Sequence, residues 1–199
     1  MNFREEIQNI LKSTERMTPI ESNKTIFAIA TIGLLIGKEN LLEVAHYAFM
    51  DLEEFSSRIY SYIDDIQERN ILSIALSFLP KELETFILVN IIEIIAKFDL
   101  KHIILDLSIY SDLSVRYEVF PVSSIEWINI LVSEIFKIHG GESIYNCDCG
   151  TGDFILHMFN NNHIEKAIGM VISKQDYYVA LIRKYFLNQE LEIVNANTF

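Results

Sequence analysis

The feature that most constrains this chain is the alternation along residues 143–195. Three short apolar runs, at 143–147 ("SIYNC"), 166–171 ("KAIGMV") and 191–195 ("LEIVN"), read as strands. Between them lie two stretches of helical periodicity, "DFILHMF" and the amphipathic 174–188 ("KQDYYVALIRKYFLN"). Strand, helix, strand, helix, strand with short connections points to a parallel sheet with right-handed crossovers. Three such strands make half of a doubly wound sheet.

The first junction holds the informative string, "YNCDCGTGDFIL" at 145–156. Gly150 and Gly152 would let the backbone turn sharply between strand and helix and leave room for a ligand against the strand end. A lone Gly-x-Gly carries little information. Its place between a strand and a helix, with two further β-α steps behind it, carries more.

Upstream, residues 1–115 have almost wholly helical patterning. Phe3, Ile7, Ile10 and Leu11 recur at helical spacing, and a second helix at about 21–36 stops at Gly37. Asp51 with Glu54 forms a capping box for a helix to about Asp65, carried by Phe55, Ile59, Tyr60 and Ile63. Pro80 suits the first turn of a long helix over 81–97, apolar on most faces, which predicts the middle of a bundle. Near Tyr117 the pattern changes. Ser123 with Glu126 caps a helix to about Ile138, with Ile125, Ile128, Leu131, Val132, Ile135 and Phe136 expected inward and Gly140-Gly141 as its stop. Two domains follow: helical over 1–116, α/β over 117–199.

Composition narrows the function classes. Half of the 199 residues are apolar and Gly and Pro number only 7 and 3, which suits helices and a real core. The net charge of −12 makes the chain a poor autonomous ligand for duplex DNA, whose binding rests on Lys and Arg. The longest apolar stretch, 26–37, falls short of the roughly 20 residues of a membrane span, and no secretory signal opens the chain. Cys147 and Cys149 are too close to bridge easily and read as reduced thiols, hence a cytoplasmic protein. His157 and His163 are the near candidates to complete a zinc site, but metal binding is not expected. His46 and His102 read as core or boundary residues, and His157 as a surface or boundary residue.

At residues 117–199 the chain resembles the class I S-adenosylmethionine-dependent methyltransferases. It looks most like the adenine-specific DNA methyltransferases, above all the modification subunits of type I restriction-modification systems. That family's loop, Asp-Pro-Ala-Cys-Gly-Thr/Ser-Gly-Gly-Phe-Leu, is matched by Asn146 through Ile155. Its Phe-Thr-Pro-like element and following helix resemble "VFPVSSIEWINILVSEIF". Its Gly-x-Glu-Ile-Asn falls on Gly169-Met-Val-Ile-Ser173, and its Gly-Asp-Thr-Leu on Ala196-Asn-Thr-Phe199. The N-terminal helices are loosely similar to the helical domain of those subunits.

The resemblance implies the first half of a Rossmann-like domain. It places the methionine end of S-adenosylmethionine over Asn146, Cys149, Gly150, Thr151 and Gly152, with Val171 near the ribose and Asn197 near the adenine amine. At Asn146, Val171 and Asn197 the family has acidic residues. Asn can still accept hydrogen bonds, but Val171 cannot, and each buried hydroxyl left unpaired costs about 1–3 kcal/mol. Asp148 and Asp153 return acid to the loop at positions the motif does not use. Cofactor binding is therefore expected to be weak or lost. The family's Asn/Asp-Pro-Pro-Tyr/Phe loop, which holds the flipped base, has no counterpart: the prolines stand at 19, 80 and 121. No catalytic residue is assigned within the chain, which is not expected to methylate DNA by itself.

Three function classes follow: the N-terminal part of a DNA methyltransferase subunit, a degenerate methyltransferase-like protein serving as a binding or assembly module, or part of a small-molecule methyltransferase. A protein partner or a homodimer, through the helical region or the open edge of the third strand, is expected. DNA contact would need a partner or a further C-terminal part.

Overall fold

A computed structural model describes residues 19–46, 52–81, 83, 85–105, 126–137, 140–162, 164–187 and 189–196. The chain divides into two compact units, Met1–Ile104 and Leu105–Phe199, and the boundary expected near residue 116 lies outside the described residues, as does the first expected helix.

The first unit is helical: α1 (Pro19–Ile36), α2 (Lys38–His46), α3 (Leu52–Tyr60), α4 (Ile66–Leu76), α5 (Thr85–Ile95) and, at its end, α6 (Leu100–Leu105). Its centre is α1. Ile26, Phe27, Ala28, Ile29, Ala30 and Ile32 are all buried, so the helix is covered on every side, and it packs against α2, α4 and α5. The buried Thr31 hydroxyl is satisfied by donating to the Phe27 carbonyl at 2.8 Å. The apolar stretch at 81–97 was expected to take this central place, and it does not. Its helix spans only Thr85–Ile95 and buries one stripe, Leu88, Ile91, Ile92 and Ile95, at helical spacing, while Phe86 is exposed. Apolar content alone does not say which helix a bundle will surround.

The helix expected to run to Asp65 ends at Tyr60, and a further helix, α4, follows. Asp65 does not close one helix; it opens the next. Its carboxylate accepts from the backbone N–H groups of Gln67 and Glu68, at 2.8 and 2.9 Å, two of the donors a helix start leaves orphaned. Asp99 does the same for α6, accepting from Lys101 N–H at 3.0 Å. Asp65→Ala is expected to cost about 1 kcal/mol. A thermal melt of this variant beside Asp65→Asn, which keeps the acceptor, checks it: equal losses would mean that the cap contributes nothing.

The second unit runs α7 (Glu126–Phe136), β1 (Ser143–Asn146), α8 (Asp153–Asn162), β2 (Lys166–Val171), α9 (Lys174–Leu187) and β3 (Glu190–Asn195). The three strands form one parallel sheet in the order β1-β2-β3, with Ile144 opposite Ala167 and Gly169 opposite Ile193. The expected parallel α/β architecture is therefore present. Alternate strand positions Ile144, Ala167, Val171, Leu191 and Ile193 share one face and build one core with Ile155, Leu156 and Phe159 of α8 and Ala180 and Leu187 of α9. Among the described residues the sheet has two edges, β1 as well as the expected β3.

No single helix among the described residues is long and apolar enough to cross a membrane.

Candidate ligand turn at the strand ends

β1 ends at Asn146, and seven residues later α8 begins. The segment between is pinned at several points. The Asn146 side chain accepts from the Asp148 N–H at 3.1 Å, folding the chain back at once. Cys149 N–H donates to the Met170 carbonyl at 2.8 Å, which fixes the loop to the end of the central strand. Gly152 N–H then donates to the Cys149 carbonyl at 2.8 Å, closing a tight turn over Cys149-Gly150-Thr151-Gly152. Gly150 at φ 50° and Gly152 at φ 91° both lie in the left-handed region, where a side chain would be strained. This is why the sequence has glycine at both positions.

Under the turn sits a buried ionic network with no local signature in the sequence. Arg183 of α9 is 1% exposed and Asp153, the first residue of α8, is 2% exposed. One guanidinium nitrogen of Arg183 donates to the Asp153 carboxylate at 2.5 Å and to the Thr151 carbonyl at 3.0 Å. The Thr151 hydroxyl donates to the other Asp153 oxygen at 2.9 Å. Arg183 thus holds the glycine turn, the start of α8 and the middle of α9 as one piece. Asp153 also sits at the helix N-terminus, where a carboxylate is favoured. It is fully engaged inside the protein, so it is not offered to a ligand.

Cys149 is buried beneath the turn, and Gly169 on β2 leaves it room: a Cβ at 169 would lie 2.7 Å from the Cys149 sulfur. Burial chiefly, with the charges of Asp148, Asp176 and Asp153 adding to it, pushes the Cys149 thiol from 9.0 up to about 12. It is an inert packing group, whereas Cys147 is exposed. Titration with an aromatic disulfide reagent near pH 8 is expected to label Cys147 at once and Cys149 only on unfolding. Between pH 9 and 12 the unfolded chain releases a proton that the folded chain keeps, so this group makes stability fall with rising pH across that window. Prompt labelling of both thiols in the folded chain would contradict the packing.

The expected site residues fall into three sets. Cys149, Gly150, Thr151 and Gly152 form the turn, and Asn146 ends β1 and opens the same loop by accepting from the Asp148 N–H. Val171 is at the end of β2, but its side chain is 1% exposed and belongs to the core beneath the helices. Its carbonyl is also occupied: the Asn195 amide donates to it at 2.8 Å and to the Ile172 carbonyl at 3.1 Å, tying the ends of β2 and β3 together. Asn197 lies outside the described residues.

His157, expected as a surface or boundary residue, is buried in α8, with Asn161 donating to its carbonyl at 2.9 Å and contacting its ring nitrogen at 3.3 Å. Among the described residues no group of His, Cys, Asp and Glu is arranged to hold a metal. Arg183 and Asn195 were missed by sequence reasoning. Asn195 carried a faint signal as a polar residue closing an apolar strand, and Arg183 carried none.

No protein-family model matches the chain, and no curated protein matches it.

Proposed function

We propose that residues 117–199 are the cofactor-binding part of an S-adenosylmethionine-dependent, methyltransferase-like protein of the adenine-DNA type, similar to restriction-modification subunits and working in the cytoplasm. One observation carries this reading: a tight glycine turn standing between β1 and α8 at the carboxyl end of a parallel sheet, bonded to the end of its central strand. In open α/β sheets small-molecule ligands bind at that end. The turn fits the methionine end of the cofactor, over Asn146, Cys149, Gly150, Thr151 and Gly152. The end of β2 does not supply the usual ribose acceptor, because Val171 is apolar and faces the core. Binding is accordingly weak, in the millimolar range, and methyl transfer is not assigned to any residue of this chain.

Titrating the isotope-labelled chain with S-adenosylhomocysteine tests this by amide chemical shifts. The amides of Gly150, Thr151, Gly152 and Ala196 should move together, with a midpoint near 1 mM. No movement up to about 10 mM, where even a binding energy of roughly 3 kcal/mol would register, sinks the cofactor reading. So would shifts confined to residues 19–105.

The inward Val171 and the engaged Asp153 favour a second reading, in which the turn is retained as scaffold and the protein is a degenerate binding or assembly module. Its partner would meet the helical region or an open sheet edge, and DNA would be reached only through that partner or a further C-terminal part. A gene encoding an Asn-Pro-Pro-Tyr-type loop in frame after Phe199 would decide for the first reading.

A further inference from the structure

The helix α7 is inside out. Its sequence, "EWINILVSEIF", was expected to bury its apolar stripe, yet the side chain it buries is Asn129, at 1% exposure, with Val132 and Ser133 half-buried beside it. The Asn129 Nδ2 finds no hydrogen-bond partner among the described residues, a placement that natural helices rarely tolerate. The opposite face carries Trp127, Ile128, Ile130, Leu131 and Ile135, each between 37% and 64% exposed. At 100° per residue these five and Glu134 share one arc of about 160°. Phe136 is also exposed, at the end of the helix and off that arc.

We infer that this arc of α7 is the contact face of a homodimer, in which two copies of α7 pack antiparallel about a two-fold axis through Leu131. The area argues for it. With about 150–250 Å² for a large side chain, the exposed fractions leave roughly 400–600 Å² of apolar surface in one continuous stripe. Patches of about 300–600 Å² are the largest that typical monomers carry, and these are often functional contact surfaces. A standard interface takes about 800 Å² from each partner, rather more than half of it apolar, or about 450 Å². The stripe supplies that share.

The stripe is also self-complementary. A two-fold axis at Leu131 sets Trp127 of one copy against Ile135 of the other at both ends, with Leu131 meeting Leu131 at the centre. Glu134 is the one charged residue in the arc, so the face selects for apolar burial and not for a charged partner. The net charge of −12 on each copy opposes association from a distance. Salt screens that repulsion, so the dimer tightens as ionic strength rises.

Sedimentation equilibrium of the full chain tests the inference at low and physiological salt. The expected result is a monomer–dimer equilibrium that shifts toward dimer with salt. Leu131→Glu should weaken it by about tenfold or more, because it sets a charge at the centre of the apolar face. Since Leu131 is exposed in the folded chain, far-UV circular dichroism should be unchanged. A second variant makes the geometry testable without destabilising the helix: Leu131→Cys with Cys147→Ser should form an intermolecular disulfide under mild oxidation, and Ser133→Cys with Cys147→Ser should not. A chain that stays monomeric at about 100 μM, with the stripe covered in some other way, overturns the proposal. So does a dimer that Leu131→Glu leaves intact.

Discussion

Arg183→Met is expected to cost the second unit about 3–5 kcal/mol, the loss typical of leaving one member of a buried ion pair without its partner. Domains of this size are held by about 5–15 kcal/mol, so the variant should lose a large fraction of the unit's stability. The size follows from what methionine leaves behind. Asp153 remains at 2% exposure without its cationic partner, and the Thr151 carbonyl loses the Arg183 donor. Amide hydrogen exchange across β1, β2, β3 and α9 measures the loss in this unit directly, without the first unit contributing.

The decisive comparison is the double variant Asp153→Leu with Arg183→Met. Replacing both charges by apolar groups is often neutral, so it should recover most of what the single variant loses. A single variant within 1 kcal/mol of the parent, or a double variant no better than the single, would mean that the pair does not hold the turn. The ion pair is therefore read as a device for fixing geometry rather than as a net source of stability.

Gly169→Val is expected to be the next largest disturbance, at about 1–3 kcal/mol from overpacking. Gly169 lies in the central strand, paired with Asn146 on one side and Ile193 on the other. A Cβ there would meet the Cys149 sulfur at 2.7 Å, the Ile155 Cδ1 at 2.9 Å and the Ile193 Cδ1 at 3.0 Å. Those neighbours are side chains of the turn, α8 and β3; the two isoleucine methyls can turn aside by a rotamer change, whereas the short Cys149 side chain moves chiefly with its loop. The strain therefore falls on that loop, which hangs on the Met170 carbonyl. The variant should thus both lower the melting temperature and raise the reactivity of Cys149 toward thiol reagents in the folded chain. An unchanged Cys149 with a lowered melting temperature would mean that Ile155 or Ile193 gave way instead.

The two measurements bear on one question, namely how a turn of four residues keeps its shape. Two of those residues are glycines at positive φ, which the unfolded chain does not favour over many other conformations. The order comes from outside: Met170 from the strand, Arg183 from a helix thirty residues away, and Gly169 by giving room.

Much of this protein is written locally. The alternation of apolar runs with amphipathic stretches set out β1, α8, β2, α9 and β3, and β2 falls on the expected residues 166–171. Short connections made the sheet parallel, and the glycine pair located the turn. These signals are legible because each depends on neighbours within a few residues: period, cap and backbone freedom. Even so, a helix end can be misplaced: the helix expected to run to about Asp65 stops at Tyr60, and Asp65 is the N-cap of the next.

What the sequence by itself determined is the kind and order of the elements, and the place of the turn among them. Tertiary structure alone decided which face each element shows. It made α1 the surrounded helix although 81–97 is equally apolar, since burial depends on how many neighbours a helix meets and not on its own composition. It turned Val171 inward, because alternate residues of β2 lie on the helix side of the sheet. It joined Asp153 to Arg183 across thirty positions, and it set Asn129 inward and Trp127 outward on α7. Periodicity records that a helix has an apolar face; only the packing of the whole chain, or of two chains, chooses what that face meets.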